Sequence, residues 1–190
     1  MKSKPTYAPL APDPTGRLHL LVGHGDGGGP LLRLAQETPP GSAVRILYVP
    51  GTEDVTDPFR AVAAELLLFA DSTDLIAGLV RALAECIMGT RLYVAGPESF
   101  IGLVVRVAMK YGLYPNAVQC EHAGSAARRV YCVHCRTSND GVTTNVVRCG
   151  GCGRHLFVRD HYSRRLAAYA GVMVDAEVPG EIPPLVETFR

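Results

Sequence analysis

Four of the six cysteines in this chain of 190 residues fall within one stretch near its end, YCVHCRTSNDGVTTNVVRCGGCGRHL (131–156). They form two Cys-x-x-Cys pairs, Cys132 with Cys135 and Cys149 with Cys152, with 13 residues between the pairs. Nothing else in the sequence restricts the fold as strongly. Two residues between cysteines allow a tight turn that aims both thiolates at one cation, and Gly153, directly after the second pair, relaxes the backbone beside it. In a reducing compartment such cysteines are metal ligands or free thiols more often than disulfides. A tetrahedral all-cysteine shell leaves no open position for substrate, so a structural zinc ion is the expected occupant. Iron shares the same ligands and would make the cluster an electron carrier. His134 and His155 are alternative ligands by position, but four thiolates already complete the shell. Cys86 and Cys120 stand apart and read as small core residues.

Between the pairs, Asn139-Asp140-Gly141 is flanked by residues of β type, which predicts a hairpin joining two metal knuckles. The spacing is close to that of a zinc ribbon. A segment as short as 126–190 needs such an ion to hold a core together.

The preceding part of the chain alternates short β-rich runs with amphipathic stretches. RLHLLVG (17–23), AVRILYVP (43–50), RLYVAG (91–96) and NAVQCE (116–121) are predicted strands. LLLFAD after Glu65 fits either a further strand or an extension of the helix before it. Helices are predicted from Pro30, from Asp57 as N-cap with Pro58 at the first position, from about Asp74 to Met88 with a stop at Gly89, and from Pro97 to Gly112. Such alternation means βαβ units and a five-stranded parallel sheet covered on both faces. The expected organisation is a flexible, proline-rich segment over 1–16, an α/β domain over 17–125, and a zinc-ribbon β module with an extended tail over 126–190.

Charge removes several function classes. Lysine and arginine number 19 against 18 aspartates and glutamates, so the basic footprint of a nucleic-acid binder is missing. The longest apolar region, Glu65 to Met88, is broken by Asp71, Asp74, Arg81 and Glu85, which excludes a membrane span. The start of the chain has no basic region followed by an apolar run, and a cytoplasmic location is expected.

LLVGHGDGGGPLL (20–32) is a strand, a glycine-rich turn and a helix start. In such a turn the amides of Gly23, Gly25, Gly27 and Gly28 could approach a pyrophosphate, or the glycines could serve a tight βα loop alone. LYVAGPESFIGLVVRVAMKYGL (92–113) follows a similar course. Together these stretches resemble the nucleotide-binding domain of ferredoxin–NADP reductase and phthalate dioxygenase reductase-like enzymes, over about residues 17–122. The resemblance implies that the glycine loop lies under the pyrophosphate of NADPH, that Ala95-Gly96-Pro97 matches a Cys-Gly-Pro turn near the nicotinamide, and that Glu121 matches an acidic residue after the last strand. Two departures stand out: Ala95 replaces the cysteine, and Glu53, Asp54 and Asp57 occupy a loop where a 2′-phosphate would be repelled.

RCGGCGRHLFVRDHYSRRLAAYAGVMVDAEVPG (148–180), joined to the reductase-like half, resembles the small, DmmA-like subunits of bacterial heme-dependent dimethylamine monooxygenases over nearly the whole chain. The resemblance implies an accessory subunit, structural or supporting electron transfer, in a complex that uses NADPH and oxygen to demethylate dimethylamine to methylamine and formaldehyde. It places heme on a catalytic subunit, and FMN with an iron–sulfur cluster on a reductase subunit. The chain alone is not expected to be catalytic, since no nucleophile or paired carboxylate accompanies His161. RDHYSRRLAAYAG (159–171) reads as a partner interface or as a solvated helix face with its tyrosines inward, and PGEIPPLVETFR as an extended tail that docks on a partner. A regulatory zinc-ribbon module that recognises a nucleotide or small ligand is the alternative reading of the whole chain.

Overall fold

The computed structural model describes residues 4–53 and 55–190. Internal contacts divide the chain into an α/β unit, Tyr7–Gly124, and a second unit of Ser125–Arg190 together with residues 4–6.

In the α/β unit the predicted alternation takes the form β1 (Leu18–His24), α1 (Gly28–Glu37), β2 (Ala43–Val49), α2 (Thr56–Val62), β3 (Glu65–Leu68), α3 (Ser72–Ala84), β4 (Thr90–Gly96), α4 (Glu98–Lys110) and β5 (Val118–His122). The five strands are parallel, in the order β3-β2-β1-β4-β5. The central strands are apolar without alternation because both faces are covered. Leu20, Val22, Leu92 and Val94 meet Leu75, Leu79, Ile101 and Val104 of α3 and α4, whereas Leu21, Ile46, Tyr48 and Tyr93 meet Leu31, Leu34 and Phe59 of α1 and α2. The ambiguous LLLF run thus resolves as strand β3. Its backbone continues the ladder beside β2, and the helix before it ends at Val62.

Two helix boundaries differ from expectation. Asp57 lies inside the first turn of α2, with Val55 at the cap position. Helix α3 starts earlier and ends earlier than predicted. The Asp71 carboxylate accepts the amides of Thr73 (2.7 Å) and Asp74 (2.9 Å), which supplies the cap, and the turn through Gly89 (φ 91°) leads into β4 after the helix has closed at Ala84.

Residues 7–13 run beside β5, an edge strand. The Gln119 side-chain amide accepts from the Ala11 amide (3.0 Å) and donates to the Ala11 carbonyl (2.9 Å). Glu121 accepts from the Leu10 amide (2.7 Å), Leu10 is 3% exposed, and the Asp13 amide donates to the Tyr93 hydroxyl (2.9 Å).

The second unit is a five-stranded sheet in the order β7-β6-β10-β9-β8, from β6 (Arg128–Cys132), β7 (Ser138–Val142), β8 (Val146–Arg148), β9 (His155–Ser163) and β10 (Ala168–Met173). Only the β10–β6 pair is parallel. Asn139-Asp140-Gly141 lies within β7, paired to β6, not in a turn between two strands. The turn between β6 and β7 is the first cysteine knuckle itself. The stretch 159–171 is the β9–β10 hairpin with Ala167 at φ 51°, not a helix, and Tyr162 and Tyr169 meet edge to face, centroids 5.0 Å apart. The extended tail packs in cis. Asn145 donates through its amide to the Val186 carbonyl (3.0 Å) and accepts the Val186 amide on its side chain (2.8 Å), and Ala126 donates to the carbonyl of Arg190 (2.7 Å). Phe189 and Tyr169 sandwich the Arg128 guanidinium at 3.8 and 3.9 Å, and Arg128 donates to Asp160 at 2.6 Å.

Candidate metal centre and glycine loop

The sulfur atoms of Cys132, Cys135, Cys149 and Cys152 all lie within 4.8 Å of one another. Cys132 to Cys152 spans 3.8 Å and Cys135 to Cys149 spans 3.5 Å, and none is joined in a disulfide. Four sulfurs at about 2.3 Å from one tetrahedral ion stand roughly 3.8 Å apart, so the cluster fits a single ion of that kind.

Two copies of one backbone turn build it. In the first, the Arg136 amide donates to the Cys132 carbonyl (2.9 Å) and the Cys132 amide to the Thr137 carbonyl (2.9 Å). In the second, Gly153 donates to Cys149 (2.9 Å) and Cys149 to Arg154 (2.8 Å). Each turn passes through a left-handed residue directly after its second cysteine, Gly153 at φ 72° and Arg136 at φ 67°. Sequence reasoning identified the glycine and missed its arginine counterpart, because arginine carries no turn signal.

The polar surroundings favour thiolates. Cys135, beside the Thr137 hydroxyl (3.3 Å) and amide, is lowered to about 6, and Cys152 is lowered by the Arg154 amide and guanidinium. Burial pushes Cys132 up to about 11, against the Cys135 and His134 amides aimed at its sulfur, so this thiol in particular needs a cation to ionise. Asn139 ties the turns together. Its side chain donates to the Val130 carbonyl (3.2 Å), accepts the Gly150 amide (2.8 Å) and reaches Cys149 Sγ at 3.9 Å. Gly151 has no room for a Cβ, which would overlap the Thr137 hydroxyl and lie 3.1 Å from Cys135 Sγ. The exposed ring of His134 and the half-buried His155 lie outside the four-sulfur group.

The glycine loop gathers at the carboxyl ends of β1 and β4, where the strand order reverses and open α/β sheets bind ligands. The structure brings Gly27 against Ala95 and Gly96 and sets Gly28 against Tyr48 and Val55, and close packing explains most of the glycines. A Cβ on Gly27 would overlap the Ala95 carbonyl. One on Gly23 would lie 2.5 Å from Leu31 Cδ1, and one on Gly28 would lie 2.5 Å from the Tyr48 hydroxyl. Gly25 takes φ 55°, and its carbonyl accepts from Tyr48 (2.6 Å). Pro97 caps α4 at φ −58°.

Two groups compete with a phosphate or nicotinamide here. The exposed Asp26 sits in the loop itself, so the start of α1 already has a carboxylate beside it. Glu121, besides the Leu10 amide, accepts from Arg33 at 2.6 Å. Glu53 and Asp57 are exposed, and Asp54 lies outside the described residues. Asp26 is legible in the sequence as the charged residue among the glycines; the engagement of Glu121 by Leu10 and Arg33, far apart in sequence, is not.

The profile of the family described as "Dimethylamine monooxygenase subunit DmmA-like, N-terminal domain" matches residues 1–118, and that of the corresponding C-terminal domain matches residues 129–172. The heme-dependent oxidative N-demethylase delta subunit of Ectopseudomonas mendocina is 31% identical over 177 residues, 93% of this chain and 91% of that protein. Among solved structures, the C-terminal domain of a Pyrococcus furiosus hydrogenase is 18% identical over 63% of this chain and 99% of its own, with a TM-score of 0.47. Phthalate dioxygenase reductase is 16% identical over 67% of this chain and 44% of its own, with a TM-score of 0.43. Likeness at that level assigns no activity. The two profiles and the end-to-end match to the delta subunit establish that the chain belongs to the DmmA-like family of dimethylamine monooxygenase subunits.

Proposed function

We propose that this chain is the accessory subunit of a cytoplasmic, heme-dependent N-demethylase that uses NADPH and oxygen to convert dimethylamine to methylamine and formaldehyde. The observation that carries this reading is the match to a delta subunit along 93% of this chain and 91% of that one. Heme then belongs to a catalytic partner, and FMN with an iron–sulfur cluster to a reductase partner. The subunit's own contribution is architectural. The C-terminal module, 126–190, carries one zinc ion on Cys132, Cys135, Cys149 and Cys152, which fixes the two knuckles and through Asn139 the strands beside them. The closed shell of four thiolates leaves no position for substrate, which supports a structural ion, and zinc is our choice over iron, which shares the same ligands.

The reductase-like domain, 17–125, would take a nicotinamide nucleotide along Gly23, Gly25, Gly27, Gly28, Gly96 and Pro97, with Glu121 at the far end, only in the assembled complex. Asp26 and the occupied Glu121 carboxylate support weak or absent NADPH affinity in the free subunit. The test is purification of the chain co-expressed with the heme and reductase subunits, with metal analysis. One zinc per chain and demethylation of dimethylamine that requires this subunit support the reading. Full turnover without it, or stoichiometric iron on the isolated chain, refutes the respective part.

A further inference from the structure

The sheet of the second unit has one face filled by its own core, and on the other the burial is uneven: Val146 of β8 is 1% exposed while its neighbour in register, Phe157, is 36% exposed. Val130, Val158 and Tyr169 fill the packed side. Phe157 also stands opposite the half-buried Val172 of β10 in register. Beyond the paired stretch that holds Phe157, Arg159 and His161 lie where the β9–β10 register shifts, both exposed, and the hairpin turn adds exposed Arg164 and Arg165. Among the described residues Arg159, Arg164 and Arg165 have no carboxylate within ion-pair distance. Asp160, which sits between them in sequence, is engaged by Arg128.

Composition points the same way. Residues 4–6 and 125–190, the described part of the second unit, hold nine arginines, one lysine and six carboxylates, whereas residues 7–124 hold eight basic residues and 12 acidic ones. Arginine in preference to lysine suits a surface that pairs with carboxylates, because its planar fork binds them bidentately and gives up hydration more readily. An apolar strip fringed by arginine has the composition of a protein interface. Nucleic acid is the poorer fit, since Phe157 is the one exposed phenylalanine or tyrosine of β9 and the chain as a whole is nearly neutral.

We propose that the β9–β10 hairpin docks on a carboxylate-rich surface of a protein partner, with Phe157 and Val172 at the dry centre and Arg159, Arg164 and Arg165 pairing around them. The inference rests on the accessory-subunit reading, which makes that partner a subunit of the same complex. Charge pairs at the rim of such an interface raise the association rate and make binding salt-sensitive.

The experiment measures binding of the intact chain to the purified heme-containing and reductase subunits at low and high salt. Three proteins are compared: wild type, the triple variant Arg159→Glu, Arg164→Glu, Arg165→Glu, and a control reversal at Arg81→Glu on the α/β unit. Metal content and circular dichroism verify the fold of each. The expected result is binding weakened at least about tenfold by the triple variant and by salt, and unchanged in the control. A metal-loaded, folded triple variant that binds as tightly as wild type overturns the docking face. So does salt-dependent binding of wild type to duplex DNA that the triple variant loses while assembly is unaffected. Failure of the wild type to bind either subunit is a different outcome, and it overturns the accessory-subunit reading itself.

Discussion

Arg136 occupies the position that Gly153 fills in the second knuckle, and it does so at φ 67° with its side chain exposed. A non-glycine residue there carries roughly 1–2 kcal/mol of backbone strain. Arg136→Gly should therefore raise the stability of the metal-bound module by about 1 kcal/mol, read as a shift of the denaturation midpoint without loss of metal. Gly27 predicts the opposite sign. A Cβ would press on the Ala95 carbonyl, and Gly27→Ala should cost roughly 1–3 kcal/mol whether or not a nucleotide ever binds. Gly29 faces open space, so Gly29→Asp leaves the fold intact and is the better probe of phosphate binding at the start of α1. Titration calorimetry with NADPH on the assembled complex should show weaker binding for this variant, and an unchanged affinity would remove the loop as the nucleotide site.

His19 is fully buried on β1, stacked on Tyr93, with Nδ1 3.1 Å from the Tyr93 hydroxyl. The same hydroxyl accepts the Asp13 amide. Burial lowers the His19 pKa, with the Asp13 carboxylate and the Arg91 guanidinium acting in opposite senses. A folded-state pKa below that of the unfolded chain means the unfolded state takes up the proton first, so stability falls as pH drops through about 6.5. His24, lowered by burial with Asp26 opposing, adds the same sign. Urea unfolding of the α/β unit from pH 8 to pH 5 should show this loss, and His19→Gln should flatten the slope.

At the scale of elements, the parallel sheet was legible because its strands are uninterrupted apolar runs separated by helices with strong punctuation. Four of the five strands are plain in the sequence, and LLLF needed the ladder beside β2 to choose strand over helix. The second unit was less readable. Asn139-Asp140-Gly141 has hairpin composition, yet the metal-binding turn next to it already reverses the chain, which leaves Asn139 free to clamp the knuckles. The turn within RDHYSRRLAAYAG, Arg164 to Ala167, lacks the glycine or asparagine that marks a tight hairpin, and Ala167 takes the left-handed position instead. The tail shows what local pattern cannot reveal, since Phe189 matters through Arg128, 61 positions away in the sequence. Phe189→Ala uncovers a buried guanidinium and should destabilise the module by about 2 kcal/mol, measured by chemical denaturation with zinc present.

For the molecule as a whole, an ion on the four cysteines would be a source of stability separate from the α/β core. Chelation should unfold the second unit, whose ion is expected to stabilise it by about 10–16 kcal/mol in apparent terms, and leave the first sheet folded. Hydrogen exchange resolves the two: protection should disappear across β6 to β10 and persist across β1 to β5. Cys149→Ser should reproduce the chelated state. Ala126 donates to the Arg190 carbonyl at 2.7 Å, and Phe189 covers the Arg128 guanidinium of β6. The tail and the entry to the sheet are therefore fastened to each other. Anything attached directly after Arg190 would be held against the module instead of swinging free of it, and a tag meant to leave the module undisturbed belongs on a spacer long enough to clear this clasp.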